Sequence, residues 1–181
     1  MLTIEIPDKE VYDEKQNVFF IVKGRTIVLE HSLVSLAKWE SKWGKPFLTR
    51  EGHSRAETID YIRFMTITQN VPPEVFQNIN SDVMAKISAY IEDPMTATTF
   101  SSKEKQRGIN RDIITAEIIY YWMIALNIPF ECQKWHLNRL LTLINVCNIK
   151  NQPSKKMTRQ EVLARNRALN AQRRAQLNTR G

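Results

Sequence analysis

Glycine is scarce in this sequence, at 5 of 181 residues. So few freely turning positions disfavour a turn-rich all-β fold. Cysteine is scarcer, at 2 residues. MLTIEIPDKE lacks the basic-then-apolar layout of a secretory leader, so a reducing compartment with no disulfide framework is expected. No apolar run approaches the roughly 20 residues of a membrane helix. The longest, IIYYWMIALNIPF, is too short and runs into Pro129. A Walker loop, GxGxxG, HExxH and a CxxC pair are all missing. These absences leave an enzyme without a motif to stand on, and the expectation is a non-enzymatic protein with no cofactor, no metal, no small-molecule substrate and no membrane span.

What is present is an ordinary globular composition, 43% hydrophobic and 25% charged, in a length that suits one domain with an appendage. The charge is unevenly placed. Residues 155–181 hold eight of the 26 Lys and Arg but one of the 19 Asp and Glu, so they carry the entire net charge of +7 and residues 1–154 balance to zero. A neutral body is followed by a basic tail.

Period and punctuation predict the elements. LTIEI alternates and stops at Pro7. VFFIVK and RTIVLE are β-branched or aromatic runs that read as a hairpin turning at Lys23-Gly24, with Gly24 free to take a positive φ. An open sheet of this size needs cover from a helix or a partner chain. From Ser32 the period becomes helical: Leu33, Leu36, Trp39 or Glu40, and Trp43 recur, and Gly44 ends the run. Ser54 with Glu57 is a capping box opening a second helix that buries Ile59, Ile62, Phe64 and Met65. Pro73 suits the first turn of another, and Ser81 opens VMAKISAYIE with a stripe of Val83, Ile87, Tyr90 and Ile91. Residues 93–110 show no period, and SSKEKQRG reads as an exposed loop. RDIITAEIIYYWMIAL is apolar on nearly every side, which predicts a central helix. A last core helix is expected from about Glu131 to Asn148. After the linker NQPSKK, Thr158 with Glu161 caps a basic helix through Leu177. The fold class expected is mainly α with a small N-terminal antiparallel β-sheet (α+β). It divides into a β-hairpin unit at 1–31, a helical body at 32–150, and a linker with a basic helical arm at 151–181.

Three features invite a chemical reading. In PFECQKWHLNRLL, Cys132 and His136 lie four apart and, with Leu140, Leu143 and Cys147, fall on one line of a helix. The alternatives are a polar pair at the edge of a packed core, a metal site, or a Cys–His nucleophile. The metal reading lacks ligands, because Cys147 lies roughly 22 Å further along such a helix. The nucleophile lacks an orienting group and an oxyanion hole. Glu117 stands in an apolar helix and requires a partner such as Arg139 or His136, unless it is a catalytic carboxylate. Third, the basic arm has a narrow apolar seam, Val162 and Leu169, flanked by Arg165, Arg167, Arg173 and Arg174. Such a helix is marginal alone. It fits a protein partner, the phosphate backbone of a nucleic acid, or a solvated tail. Trp39 and Trp43 are read either as a second contact patch or as ordinary core aromatics.

Four blocks, LEHSLVSLAKWESKW (29–43), DYIRFMTITQNV (60–71), YIEDPMTATTF (90–100) and ITAEIIYYWMIALNIPFECQKWHLNRLLTLINVCNIKN (114–151), resemble a family of small tail proteins of long-tailed bacteriophages, described as tail assembly chaperones. The resemblance covers nearly the whole chain. It implies a non-enzymatic protein, acting in the cytoplasm of the infected host, that coats the tape-measure protein and helps tail-tube subunits polymerise around it. Many members exist in a second, longer frameshifted form. The contact residues Val162, Arg165, Arg167, Leu169, Arg173, Arg174, Trp39 and Trp43 come from the reading of this chain, which also leaves room for copies of itself as partner. The alternative is a structural virion protein of capsid, neck or tail, whose basic arm ties neighbours or touches packaged DNA.

Overall fold

The computed structural model describes residues 1–13, 17–49, 52–100, 113–151 and 159–177. The SSKEKQRG loop and the Thr158 cap lie outside the described residues. The fold is mainly helical with antiparallel β-structure at the N-terminus. Four strands come first: β1 (Leu2–Ile6), β2 (Lys9–Asp13), β3 (Val18–Val22) and β4 (Arg25–Leu29). The helices are α1 (Leu33–Trp43), α2 (Arg55–Met65), α3 (Ser81–Glu92), α4 (Ala116–Ala125), α5 (Leu137–Asn151) and α6 (Arg159–Leu177). Two short 3₁₀ turns, Pro73–Asn78 and Phe130–Lys134, follow prolines. The chain falls into two compact units, Met1–Asn148 and Ile149–Gly181.

The β-structure corrects the expected hairpin. VFFIV and RTIVL do not pair with each other. β1 pairs with β4, from Leu2↔Leu29 to Ile6↔Arg25, and β2 pairs with β3, from Lys9↔Val22 to Asp13↔Val18. The register is the same throughout, so this is one long ribbon interrupted on one side at Pro7-Asp8 and on the other at Lys23-Gly24. Gly24 does not have a positive φ. Its role is close approach: a Cβ there would lie 2.0 Å from the Ile6 carbonyl oxygen and 2.5 Å from the Pro7 carbonyl carbon. Its N–H donates to Asp8 Oδ1 at 2.6 Å.

Only the inner half of the ribbon is covered. Ile4, Ile6, Ile27 and Leu29 are buried against Tyr61, Ile62 and Met65 of α2 and Val83, Ile87 and Tyr90 of α3. The outer edge of β4 is closed by the segment after α2: Ile67 N–H donates to the Val28 carbonyl at 2.8 Å and Glu30 N–H to the Met65 carbonyl at 2.8 Å. A second core gathers Ala116, Ile119 and Met123 of α4 with Leu137, Leu140 and Ile144 of α5. α1 belongs to both cores, lending Trp39 to the first and Leu33 and Leu36 to the second. The central helix is therefore α1, and not the more apolar α4 that composition predicts. Tyr121 and Ile124 of α4 are exposed.

The expected caps are made. Ser32 Oγ and Ser54 Oγ accept from Ser35 N–H and Glu57 N–H, and Ser35 and Glu57 return the bond to the cap N–H. Gly44 ends α1 at φ 64°, a conformation open to glycine without a Cβ penalty. α3 is capped by Asn80, whose Oδ1 accepts from Val83 N–H, one residue earlier than expected.

Replacing Gly24 by Ala forces backbone at Ile6 and Pro7 to move. The expected loss is about 1–3 kcal/mol of unfolding free energy in urea titration. An unchanged midpoint would show that the approach at Pro7 is not a constraint.

Candidate interaction surfaces

The reactive-looking stretch resolves into a packing junction. Cys132 and His136 do not share a helix. Phe130–Lys134 is a 3₁₀ turn, Trp135 is extended at φ −71° and ψ 163°, and α5 starts only at Leu137. What breaks the expected helix is pairing with the start of α1. His136 forms a bridge with Ser32, and Leu137 N–H donates to the His31 carbonyl at 2.7 Å. The His31 and His136 rings meet edge to face with centroids 5.0 Å apart. His31 Nδ1 shares a 2.6 Å hydrogen bond with the Tyr61 hydroxyl. His136 lies 3.0 Å from the Tyr90 carbonyl through Nε2. A carbonyl accepts only, so that nitrogen carries the proton, and the buried Nδ1 has no partner among the described residues.

Burial, and secondarily the neighbouring His136, lower the His31 pKa to about 3. Burial likewise pushes the Tyr61 hydroxyl up. The Cys132 thiol is raised by burial first and by Glu131 second, with Arg139 opposing. A nucleophilic thiol requires the opposite shift. Among the described residues, no three His, Cys, Asp or Glu side chains gather where they would hold a metal ion.

The carboxylates also differ from expectation. Glu117 is exposed, so it needs no buried partner. The buried carboxylates are Glu40 and Glu57. Glu40 accepts from Phe47 N–H at 2.8 Å and from Ala116 N–H at 2.7 Å. The second bond places a negative charge at the N-terminus of α4, where Thr115 makes no side-chain cap. Glu57 forms an ion pair with Lys45. Its carboxyl is held down to about 2 by the Lys45 hydrogen bond first and the Ser54 N–H second. Glu40 stands on the apolar line of α1, one turn after Leu36. That position was the signal that it, and not Glu117, is the carboxylate inside.

The two tryptophans face inward. Trp39 is completely buried and donates Nε1–H to the Glu57 carbonyl at 2.9 Å. Trp43 is half-buried and tilts against Trp39 with centroids 6.3 Å apart. Trp39 is a core aromatic with no surface to present, while Trp43 packs beside the same core and stays partly exposed.

Two elements are turned outward. α6 is a 19-residue helix with no buried residue. Val162 and Leu169 are 41% and 40% exposed, and Arg165, Arg167, Arg173 and Arg174 are exposed with them. The other element is the distal ribbon, β2–β3, where Tyr12, Val18, Phe19, Phe20 and Ile21 are 44%, 54%, 65%, 45% and 65% exposed. In the sequence alone VFFIV reads as an ordinary strand. The available signal was a run apolar at both parities, which asks for cover on both faces.

No family model, curated protein or solved structure matches the chain.

The junction generates a pH prediction. His31 stays neutral in the fold down to about pH 3, whereas unfolded chains protonate histidine near 6.5. Between those values the unfolded state binds more protons. Stability is therefore whole above pH 6.5 and drains as pH falls, by on the order of 2 kcal/mol between pH 7 and 5. Glu57 adds loss in the same direction only below its ordinary 4.5. Urea titrations at pH 7, 6 and 5 measure this, and His31→Gln should flatten the slope. A slope that survives in His31→Gln assigns the titration elsewhere.

Proposed function

We propose that this chain is a non-enzymatic bacteriophage tail assembly protein, a tail assembly chaperone, which binds the tape-measure protein or tail-tube subunits in the host cytoplasm during tail morphogenesis. The observation that carries the reading is α6. It is a long basic helix, wholly exposed, with Val162 and Leu169 presented among arginines. A single helix of this length gains most of its stability from what it docks on. A long helical partner supplies a matching surface, with an apolar stripe for the seam and acidic side chains for the arginines. In the compact unit Met1–Asn148, the side chains of His31, His136, Glu40 and Glu57 each hold a structural partner. Their engagement supports a binding role ahead of a catalytic one. The resemblance of residues 29–43, 60–71, 90–100 and 114–151 to the phage tail family supplies the biological setting.

Deleting residues 155–181 should abolish co-purification with the tape-measure protein and leave the thermal midpoint of the remaining chain within a few degrees of the parent. Loss of folding in that truncation would refute the division of labour. Mass spectrometry of purified virions separates the chaperone from a structural virion component: stoichiometric copies in the particle would favour the latter. Binding carried by nucleic acid instead would weaken steeply with salt in proportion to the phosphates contacted.

A further inference from the structure

We infer that the basic arm of one molecule docks on the outer face of α4 of a second copy, with α6 antiparallel to α4. This contact builds on the reading of α6 as a docking helix and gives it one more partner. A helix that receives α6 needs an apolar stripe with acidic side chains beside it, and α4 of the chain itself presents one.

Only one side of α4 is packed. Ala116, Ile119 and Met123 are completely buried. On the other side Glu117, Tyr121 and Ile124 fall on one line, at steps of four and three. All three are exposed, Tyr121 and Ile124 by 66% and 61%. Phe130 is also exposed and lies beside Tyr120, ring centroids 6.4 Å apart, which widens the patch. A helix apolar on nearly every side ordinarily has cover on every side.

Charge selects the occupant. Residues 113–133 contain Glu117 and Glu131 and no Lys or Arg. α6 contains Arg159, Arg165, Arg167, Arg173 and Arg174 and one carboxylate, Glu161. It has no buried residue, so both surfaces stand open in the single chain. A groove of about 320 Å³ opens beside Glu117, lined also by Glu40 and Thr115, with room for a guanidinium. Lys45 shares that groove but is held in its ion pair with Glu57.

Spacing sets the register. Val162, Leu169 and Arg173 share one line of α6, and Leu169 and Arg173 are four residues apart, as are Tyr121 and Glu117. Each of those steps covers roughly 6 Å of helix. With the helices antiparallel, Leu169 packs on Tyr121 while Arg173 reaches Glu117. Val162, roughly 10 Å from Leu169, then lies at the Ile124 end. The parallel orientation would put Val162 before the first turn of α4 and Arg173 against Ile124, apolar against charged. Each molecule carries one donor arm and one acceptor face. Two copies that exchange arms make the contact twice, the second time at the effective concentration set by the first. The seam is the same one offered to the long helical partner, so the two contacts exclude each other.

The test uses full-length chains. Sedimentation velocity of the parent should show concentration-dependent association in the micromolar range. Leu169→Asp disables the arm and Tyr121→Asp the acceptor face. Both positions are exposed, so circular dichroism should be unchanged. Each substitution should weaken association at least about tenfold. An equimolar mixture of the two variants should form a 1:1 complex, because the intact arm of one meets the intact α4 of the other. Glu117→Arg and Arg173→Glu should each weaken association about threefold, and the chain carrying both should recover it. Co-purification with the tape-measure protein should be lost in Leu169→Asp and kept in Tyr121→Asp, which separates failure of this contact from failure of the proposed function. A parent that stays monomeric up to roughly 100 µM, an association indifferent to Tyr121→Asp, or a mixture that remains monomeric would each overturn the inference.

Discussion

The two halves of the body meet at one buried charge. Glu40 reaches from α1 to the backbone of Phe47 and of Ala116, so a single carboxylate ties the central helix to the loop behind it and to the first turn of α4. Charge-assisted bonds to N–H groups are among the stronger polar contacts in proteins. A buried carboxylate is tolerated only where such bonds replace its water. The arrangement fixes where α4 begins, since Thr115 offers no cap of its own. Fixing α4 aligns Ala116, Ile119 and Met123 with Leu33 and Leu36. On the other side of the same helix Trp39 is held by the Glu57 carbonyl, and Glu57 in turn by Lys45 and Ser54. The second tie between the cores is backbone pairing of His31 and Ser32 with Leu137 and His136. The histidine rings and two tyrosines fill the space around it.

Much of this was legible one residue at a time. The Ser32 and Ser54 caps, the Gly44 stop, the stripe of α3 and the separate basic arm all follow from local chemistry, because each depends on neighbours within four residues. What the sequence did not reveal depends on distant partners. The helix expected from Glu131 breaks because Leu137 N–H finds a carbonyl more than a hundred residues earlier. α4 looks central by composition, yet its outer face holds Tyr121 and Ile124. Lys23-Gly24 resembles a turn in sequence, yet the runs on its two sides pair with other strands. Gly24 is there for the closeness of Pro7 across the ribbon, a demand visible only once the strands are paired.

The candidate residues divide along the same line. The arm was found from charge alone, since a one-sided excess of arginine needs no fold to be noticed. Cys132 and His136 attracted notice through spacing, and both turned out to be inside the junction. The exposed ribbon was missed, because an apolar strand is ordinarily a sign of burial. The outward elements are thus of opposite character: one presents charge around a narrow seam, the other presents aromatic and aliphatic surface on an open edge. They are suited to different neighbours, and one molecule has both.

The uniform register of the ribbon also constrains how the chain can vary over evolutionary time. Paired positions sum to the same value from Leu2↔Leu29 through Asp13↔Val18. A one-residue insertion or deletion in one strand alone would shift it against its partner and turn its own side chains between that point and the tip to the opposite face. Changes in ribbon length must therefore come as matched pairs, one in each strand, or be confined to the tip. Relatives of this chain should differ in ribbon length by an even total number of residues, with the Pro7–Gly24 crossing kept at the same distance from the core.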